Sequence, residues 1–140
     1  MTVNEVTVTA VVRLPVEKAF ATFTDQIDRW WVRKPFVASD TVVRFEGGRL
    51  IAASIDGAEL LATVSEWDPP TRIEMEWSGP HAKPGDAVII EFRPESGGTR
   101  VTVLHRRQGL KPEDVTAAIL GLWWGDLLSR LQDQGLSTKS

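Results

Sequence analysis

The chain opens with a strict alternation of apolar and polar positions. From Glu5 to Arg13, Val6, Val8, Ala10 and Val12 alternate with Glu5, Thr7, Thr9 and Arg13, the period-2 signature of a strand with one face in the core and one in water. The period then changes. Pro15 suits a first helical turn, where its missing N–H breaks no hydrogen bond, and Val16, Ala19, Phe20 and Phe23 recur at helical spacing, predicting a short helix from Pro15 to Phe23. Thr24-Asp25 ends it and caps a second short helix through Gln26 to Trp31, which Pro35 stops.

The middle of the chain reads as a meander of strands separated by turn residues. Val42 to Glu46 leads through Gly47-Gly48 into Arg49 to Ile55, and Asp56-Gly57 is a hairpin signal before Glu59 to Trp67. Asp68-Pro69-Pro70 breaks the run. Ile73, Met75 and Trp77 then alternate with Arg72, Glu74 and Glu76. A Gly- and Pro-rich loop from Ser78 to Gly85 precedes Ala87 to Arg93, where Val88, Ile90 and Phe92 share a face, and Gly97-Gly98 turns the chain into Thr99 to Arg107. About seven strands joined mostly by short loops, with helices after the first and after the last, predict an α+β fold built on an antiparallel sheet.

The last predicted element is a long helix that begins near Pro112, with Glu113 and Asp114 placing negative charge at the positive end of its dipole. At roughly 100° per residue, Leu120, Leu127 and Leu131 fall on one line, Trp123 lies on one shoulder, and Trp124 and Leu128 lie on the other. Adjacent rings that diverge by this angle are expected to pack on different spots, so the helix would spread across a concave sheet face, with Trp124 bordering any pocket beneath it. Asp126 and Arg130, four apart and outside the arc, are placed to pair on the solvent side. Gly121 and Gly125 fall with Val115, Ala118 and Leu122 opposite the core arc, under a covering loop or at a homodimer contact.

Composition narrows the classes of function. The 140 residues (1–140, core about 5–134) suit a single domain with one sizeable core. With no cysteine, there are no disulfides, thiol catalysis or thiolate metal sites. The opening residues do not read as a signal peptide and the longest apolar stretch, Val115 to Leu128, is too short to span a membrane, so a soluble, cytoplasmic protein is expected. A formal charge of -3 carries no basic field for nucleic acid or anionic lipid, and Arg106-Arg107, the basic pair at a strand end, reads as solvated.

Several segments together resemble the SRPBCC (START-like) superfamily, and within it the homologues of the activator of the heat-shock-protein-90 ATPase. They are VVRLPVEKAFATFTDQIDRWW, FEGGRL, VSEWDPPTRIEMEW, GGTRVTVLHRRQGL and the tryptophan-bearing last helix, and the resemblance runs from about Val6 to Leu131. It implies the helix-grip fold of birch-pollen-allergen-like proteins: a curved sheet wrapped around a long C-terminal helix, two short helices after the first strand, and a hydrophobic cavity between. The double tryptophan follows Leu122 where the family usually shows Gly-Trp, and the eukaryotic co-chaperone carries an additional N-terminal domain, whereas a single domain is expected here. On that architecture Trp31, Phe45, Met75, Trp77, Phe92, Val103, His105, Leu120 and Trp124 would line a ligand pocket, or else fill the core.

Candidate chemistry is sparse. His81 lies in the Gly- and Pro-rich loop and reads as a surface residue. His105 is in phase with Val101 and Val103 and so points toward the core; it is either a general base beside an unidentified carboxylate or a strand-end histidine satisfied by backbone or solvent. No spacing supports a metal site, no cofactor is expected, and no nucleophile motif or phosphate-cradling loop is present. Glu66, Glu74, Glu76 and Glu91 alternate with apolar residues and are expected to face water. Three readings follow: a binding module for a small apolar or amphipathic molecule, read by His105 or a tryptophan N–H; an enzyme of the cyclase, dehydratase or hydrolase kind working through His105; and a chaperone-regulating or stress-response interaction domain.

Overall fold

The computed structural model describes residues 5–30, 42–55, 57–78, 85–107 and 115–137. Its elements in chain order are β1 (Glu5–Val12), α1 (Val16–Thr24), α2 (Ile27–Trp30), β2 (Val42–Glu46), β3 (Arg49–Ser54), β4 (Gly57–Asp68), β5 (Arg72–Trp77), β6 (Ala87–Glu95), β7 (Gly98–Arg106) and α3 (Val115–Ser137). Each predicted strand is present, within about two residues of its expected ends. Trp31, His81 and the Pro112-Glu113-Asp114 helix start lie outside the described residues.

All seven strands form one antiparallel sheet in the order β1-β7-β6-β5-β4-β3-β2. The chain meanders from β2 to β7 by hairpins, and β1 closes the far edge beside β7. Gly98 marks the tightest point of that closure, because a Cβ there would sit 2.1 Å from the carbonyl oxygen of Val12. The register shifts between Leu50 and Ile51 on β3 and between Val64 and Glu66 on β4. Such bulges bend strands and raise their twist, which gives the sheet its curvature.

On the concave face the alternating apolar residues line up in rows across the ladder. Ile73 faces Ile90, which faces Val103, which faces Val8; one row along, Met75 faces Val88, which faces His105, which faces Val6. These rows form the core with α1, α2 and the buried arc of α3, which comprises Leu120, Trp124, Leu127, Leu128 and Leu131.

Helix α3 is set to one side of the sheet, along β1. Gln132 Nε2 donates to the Val11 carbonyl at 3.0 Å. Gly121 and Gly125 face Val6 and Val8 of β1, where an added Cβ would lie 3.6 and 4.0 Å from the valine methyls. The glycines thus lie where α3 is seated on β1, with room for a methyl group at each; of the residues expected beside them, Ala118 and Leu122 are exposed, and the Val115 side chain lies outside what the structure describes. Asp126 and Arg130 pair on the outer surface at 3.2 Å, as their spacing predicts.

Candidate active-site and ligand-contact residues

Two clusters stand at opposite ends of the concave face. At one end rings from α1, α2, β2, β4 and β6 form a continuous chain of contacts: Phe45 against Trp67, Trp67 against Phe20, Phe20 and Phe23 against Phe92, and Phe23 against Trp30. Centroid separations of 5.0–5.5 Å with mostly edge-to-face planes fit the ring quadrupoles. Trp30 is anchored by its indole N–H, which donates to the Thr22 carbonyl at 3.0 Å. Trp67 is 44% exposed, so this chain of rings reaches solvent.

The other cluster combines aromatic rings with buried charge. Trp123 and Trp124 lie edge to face at 4.7 Å, and both reach across to Trp77 on β5, at 5.5 and 5.2 Å. The expectation that the two rings must pack on separate spots is therefore corrected. Their Cα–Cβ bonds diverge, but indole is long enough for both rings to converge on a third. Trp124 is buried, as is Trp77, while Trp123 is partly exposed.

Beneath Trp124 lies a polar network. Its indole N–H donates to His105 Nδ1 at 3.0 Å. His105 Nε2 is 3.0 Å from Asp86 Oδ2, and Arg107 grips the same carboxylate with two N–H groups, Nε to Oδ1 at 2.8 Å and Nη2 to Oδ2 at 2.7 Å. His105 is 0% and Asp86 1% exposed, and Arg107 is 8% exposed. The expectation of a solvated Arg106-Arg107 pair is thus corrected at Arg107. Arg106 is exposed and pairs with Glu5, whereas Arg107, one step on, turns inward to neutralise Asp86.

The roles in this network are fixed by chemistry. An indole N–H only donates, so Nδ1 must present its lone pair, and the imidazole proton sits on Nε2, where it meets a carboxylate that only accepts. His105 is accordingly a neutral imidazole between a donor and an anion. Arg107 is held protonated: its hydrogen bonds to Asp86, with the carboxylate's charge, raise its pKa above the ordinary guanidinium value against the opposing pull of burial. The charges of Asp86 and Arg107 cancel within the core.

His105 does point inward, and a carboxylate is within hydrogen-bond reach, as a general base requires. The remaining lone pair, however, faces Trp124 and not open space. Where the alternative expectation was a histidine satisfied by backbone or solvent, His105 meets two described side chains, Trp124 and Asp86. Of the expected pocket residues, Trp77, His105 and Trp124 come together in this cluster, with Met75 in the same cross-strand row as His105 and Val103 one row away; Phe45 and Phe92 belong to the aromatic chain at the other end, and Leu120 packs in the α3 arc. Glu66 and Glu76 are exposed as expected, and Glu74 is half-buried in a pair with Arg72 at 2.9 Å. Among the described residues no group of three or more acidic or histidine side chains is placed to hold a metal ion, and no helix is long and apolar enough to cross a membrane.

Asp86 was missing from the sequence reading because it lies between a Gly-rich loop and the start of β6, outside any alternating run. A signal was present nonetheless. The Gly97-Gly98 turn sets Glu95 opposite Gly98, and counting back along both arms places Val88 opposite His105 and, one step beyond the last ladder pair, Asp86 opposite Arg107.

The chain matches the family model described as activator of Hsp90 ATPase homolog 1-like protein over residues 13–134. No curated protein matches it. Among solved structures it is similar to protein NE0264 from Nitrosomonas europaea, at 20% identity and TM-score 0.66, with 96% of each chain covered. It is similar also to the Aha1 dimer from Colwellia psychrerythraea, solved in solution, at 15% identity and TM-score 0.64, covering 97% of this chain and 98% of that one. A third likeness is to DynU16, a protein of the dynemicin biosynthetic locus, at 21% identity and TM-score 0.67, covering 97% of this chain and 48% of that one. The structural likenesses establish the shared fold, and the family match over most of the chain establishes that it belongs to the activator of Hsp90 ATPase homolog 1-like family.

Proposed function

We propose that this protein binds a small hydrophobic or amphipathic molecule on the concave face of its sheet, between the two aromatic clusters. The observation that carries the reading is the separation of those clusters. Helix α3 is seated along β1, while Phe45, Trp67, Met75 and Trp77 are carried on β2, β4 and β5, on the other half of the same face. A ligand entering over that half would meet the exposed Trp67 at one end and would reach Trp77 at the other by parting the side chains that bury Met75 and Val88 between them. Mostly apolar walls with a few fixed polar groups are the usual make-up of small-molecule sites.

The network of Trp124, His105, Asp86 and Arg107 gives this site a rigid end wall. Because the imidazole lone pair and the indole N–H serve each other, recognition would rest on shape and ring contacts. Native mass spectrometry of freshly purified protein tests the proposal: a small molecule retained by the folded chain and lost on denaturation is expected. A bare chain that also takes up no added apolar compound would count against it.

The enzyme reading keeps one observation in its favour, the 3.0 Å contact between His105 and Asp86. It requires Trp124 to leave Nδ1 before the imidazole can accept a substrate proton. Turnover in a Trp124→Phe variant that equals or exceeds wild type, and is abolished by His105→Ala, is the pattern it predicts.

A further inference from the structure

We propose that Trp124, His105, Asp86 and Arg107 form a proton-sensitive latch that holds the tryptophan-bearing part of α3 down on the sheet. Its effect on a ligand rests on the binding site proposed above; the latch itself is a property of the protein alone.

Helix α3 has apolar contacts along β1, but Trp124 reaches past that strand to a titratable group on β7. The hydrogen bond between them exists only while Nδ1 is unprotonated. A proton added there would set N–H against N–H at a separation of 3.0 Å, and the indole would have to withdraw.

The described groups around the imidazole favour this nitrogen as the place where an acid proton goes. Among the described residues, Val6 of β1 and Val88 of β6 lie directly opposite His105, and Trp77 of β5 has its ring centroid 6.3 Å away; none carries charge. The charged neighbours among the described residues are Asp86 and Arg107. Among the described residues Asp86 accepts two hydrogen bonds from Arg107 and one from His105, so a proton on the carboxylate would displace a charge-assisted donor. A proton on Nδ1 displaces one neutral donor and leaves the contacts to Asp86 in place.

The consequence reaches the concave face through Trp124, which touches Trp77 and Trp123. When the latch opens, the indole that closes one end of the face moves. By linkage, a ligand that packs on the seated Trp124 would hold His105 neutral, and acid would release that ligand.

Nitrogen-15 NMR of the histidine rings and tryptophan indoles, recorded on the full chain as pH is lowered from neutral, tests this directly, with a His81→Gln variant separating the two histidines. At neutral pH the His105 proton should be on Nε2, with the Trp124 indole proton shifted and protected from exchange. On acidification, protonation of His105 and loss of that protection, by about tenfold or more, should share one midpoint while the sheet amides remain protected. A Trp124→Phe variant should take up the second proton at higher pH than wild type. A proton on Nδ1 at neutral pH, an indole signal indifferent to His105 protonation, or unfolding of the whole domain in the same step would each overturn the latch. A working latch in a protein that binds no apolar probe would instead reject the ligand proposal alone.

Discussion

Trp124 can only donate through its indole and a carboxylate can only accept, and those two facts orient every proton between them. The network is therefore sensitive to single atoms. Asp86→Ala would take its carboxylate away from the buried Arg107 charge, and urea unfolding should show a loss of about 3–5 kcal/mol. Trp124→Phe, which keeps a ring but removes the N–H that donates to His105 Nδ1, should cost about 1–3 kcal/mol in the same measurement. The alkaline behaviour follows from Arg107. Its pKa is raised in the folded state, so its contribution is complete below the unfolded value and is lost only as pH rises through the folded one. Stability owed to the Asp86–Arg107 pair should therefore stay constant from neutral pH to about 11, as read by the denaturation midpoint across that range. At this scale the inward turn of His105 was legible from its phase with Val101 and Val103. Its partners were not, because they come from a loop end, a strand end and a helix that only the folded register brings together.

Helix α3 shows where periodicity informs and where it stops. The line of Leu120, Leu127 and Leu131 is buried as its spacing predicts. The surroundings of Gly121 and Gly125 were hidden, since a helical wheel does not say that a second surface, β1, meets the helix on that side. Their cost can be tested. An added Cβ would find ordinary van der Waals distances at both positions, so Gly121→Ala and Gly125→Ala should each be neutral or stabilise by up to about 1 kcal/mol in thermal or urea unfolding. A loss of more than that amount would show that α3 needs a closer approach to β1 than the structure has. The tryptophan pair carries a related lesson: helical angle places Cβ atoms, but a side chain as long as indole decides for itself where its ring ends.

At the scale of the whole molecule, the strand order follows from local turns. Each hairpin signal along the meander joined neighbouring strands, and the pairing of β1 with β7 was the one long-range step that no turn announces. The alternation of the strands told which residues face inward, but whether those residues fill the space between the aromatic clusters or line it depends on volumes that a pattern of types does not encode. Met75 sits between Val64 and Val88 on the face in question. In a filled core, Met75→Trp would overpack and lose about 1–3 kcal/mol, whereas over a ligand site it should fold with little loss and block binding. The most direct measurement is a fluorescence titration of the wild-type protein with 1-aminoanthracene, a neutral polycyclic probe. Saturable binding of one probe per chain with quenching of tryptophan emission is expected, and a well-folded protein that shows neither would contradict a ligand site on the concave face.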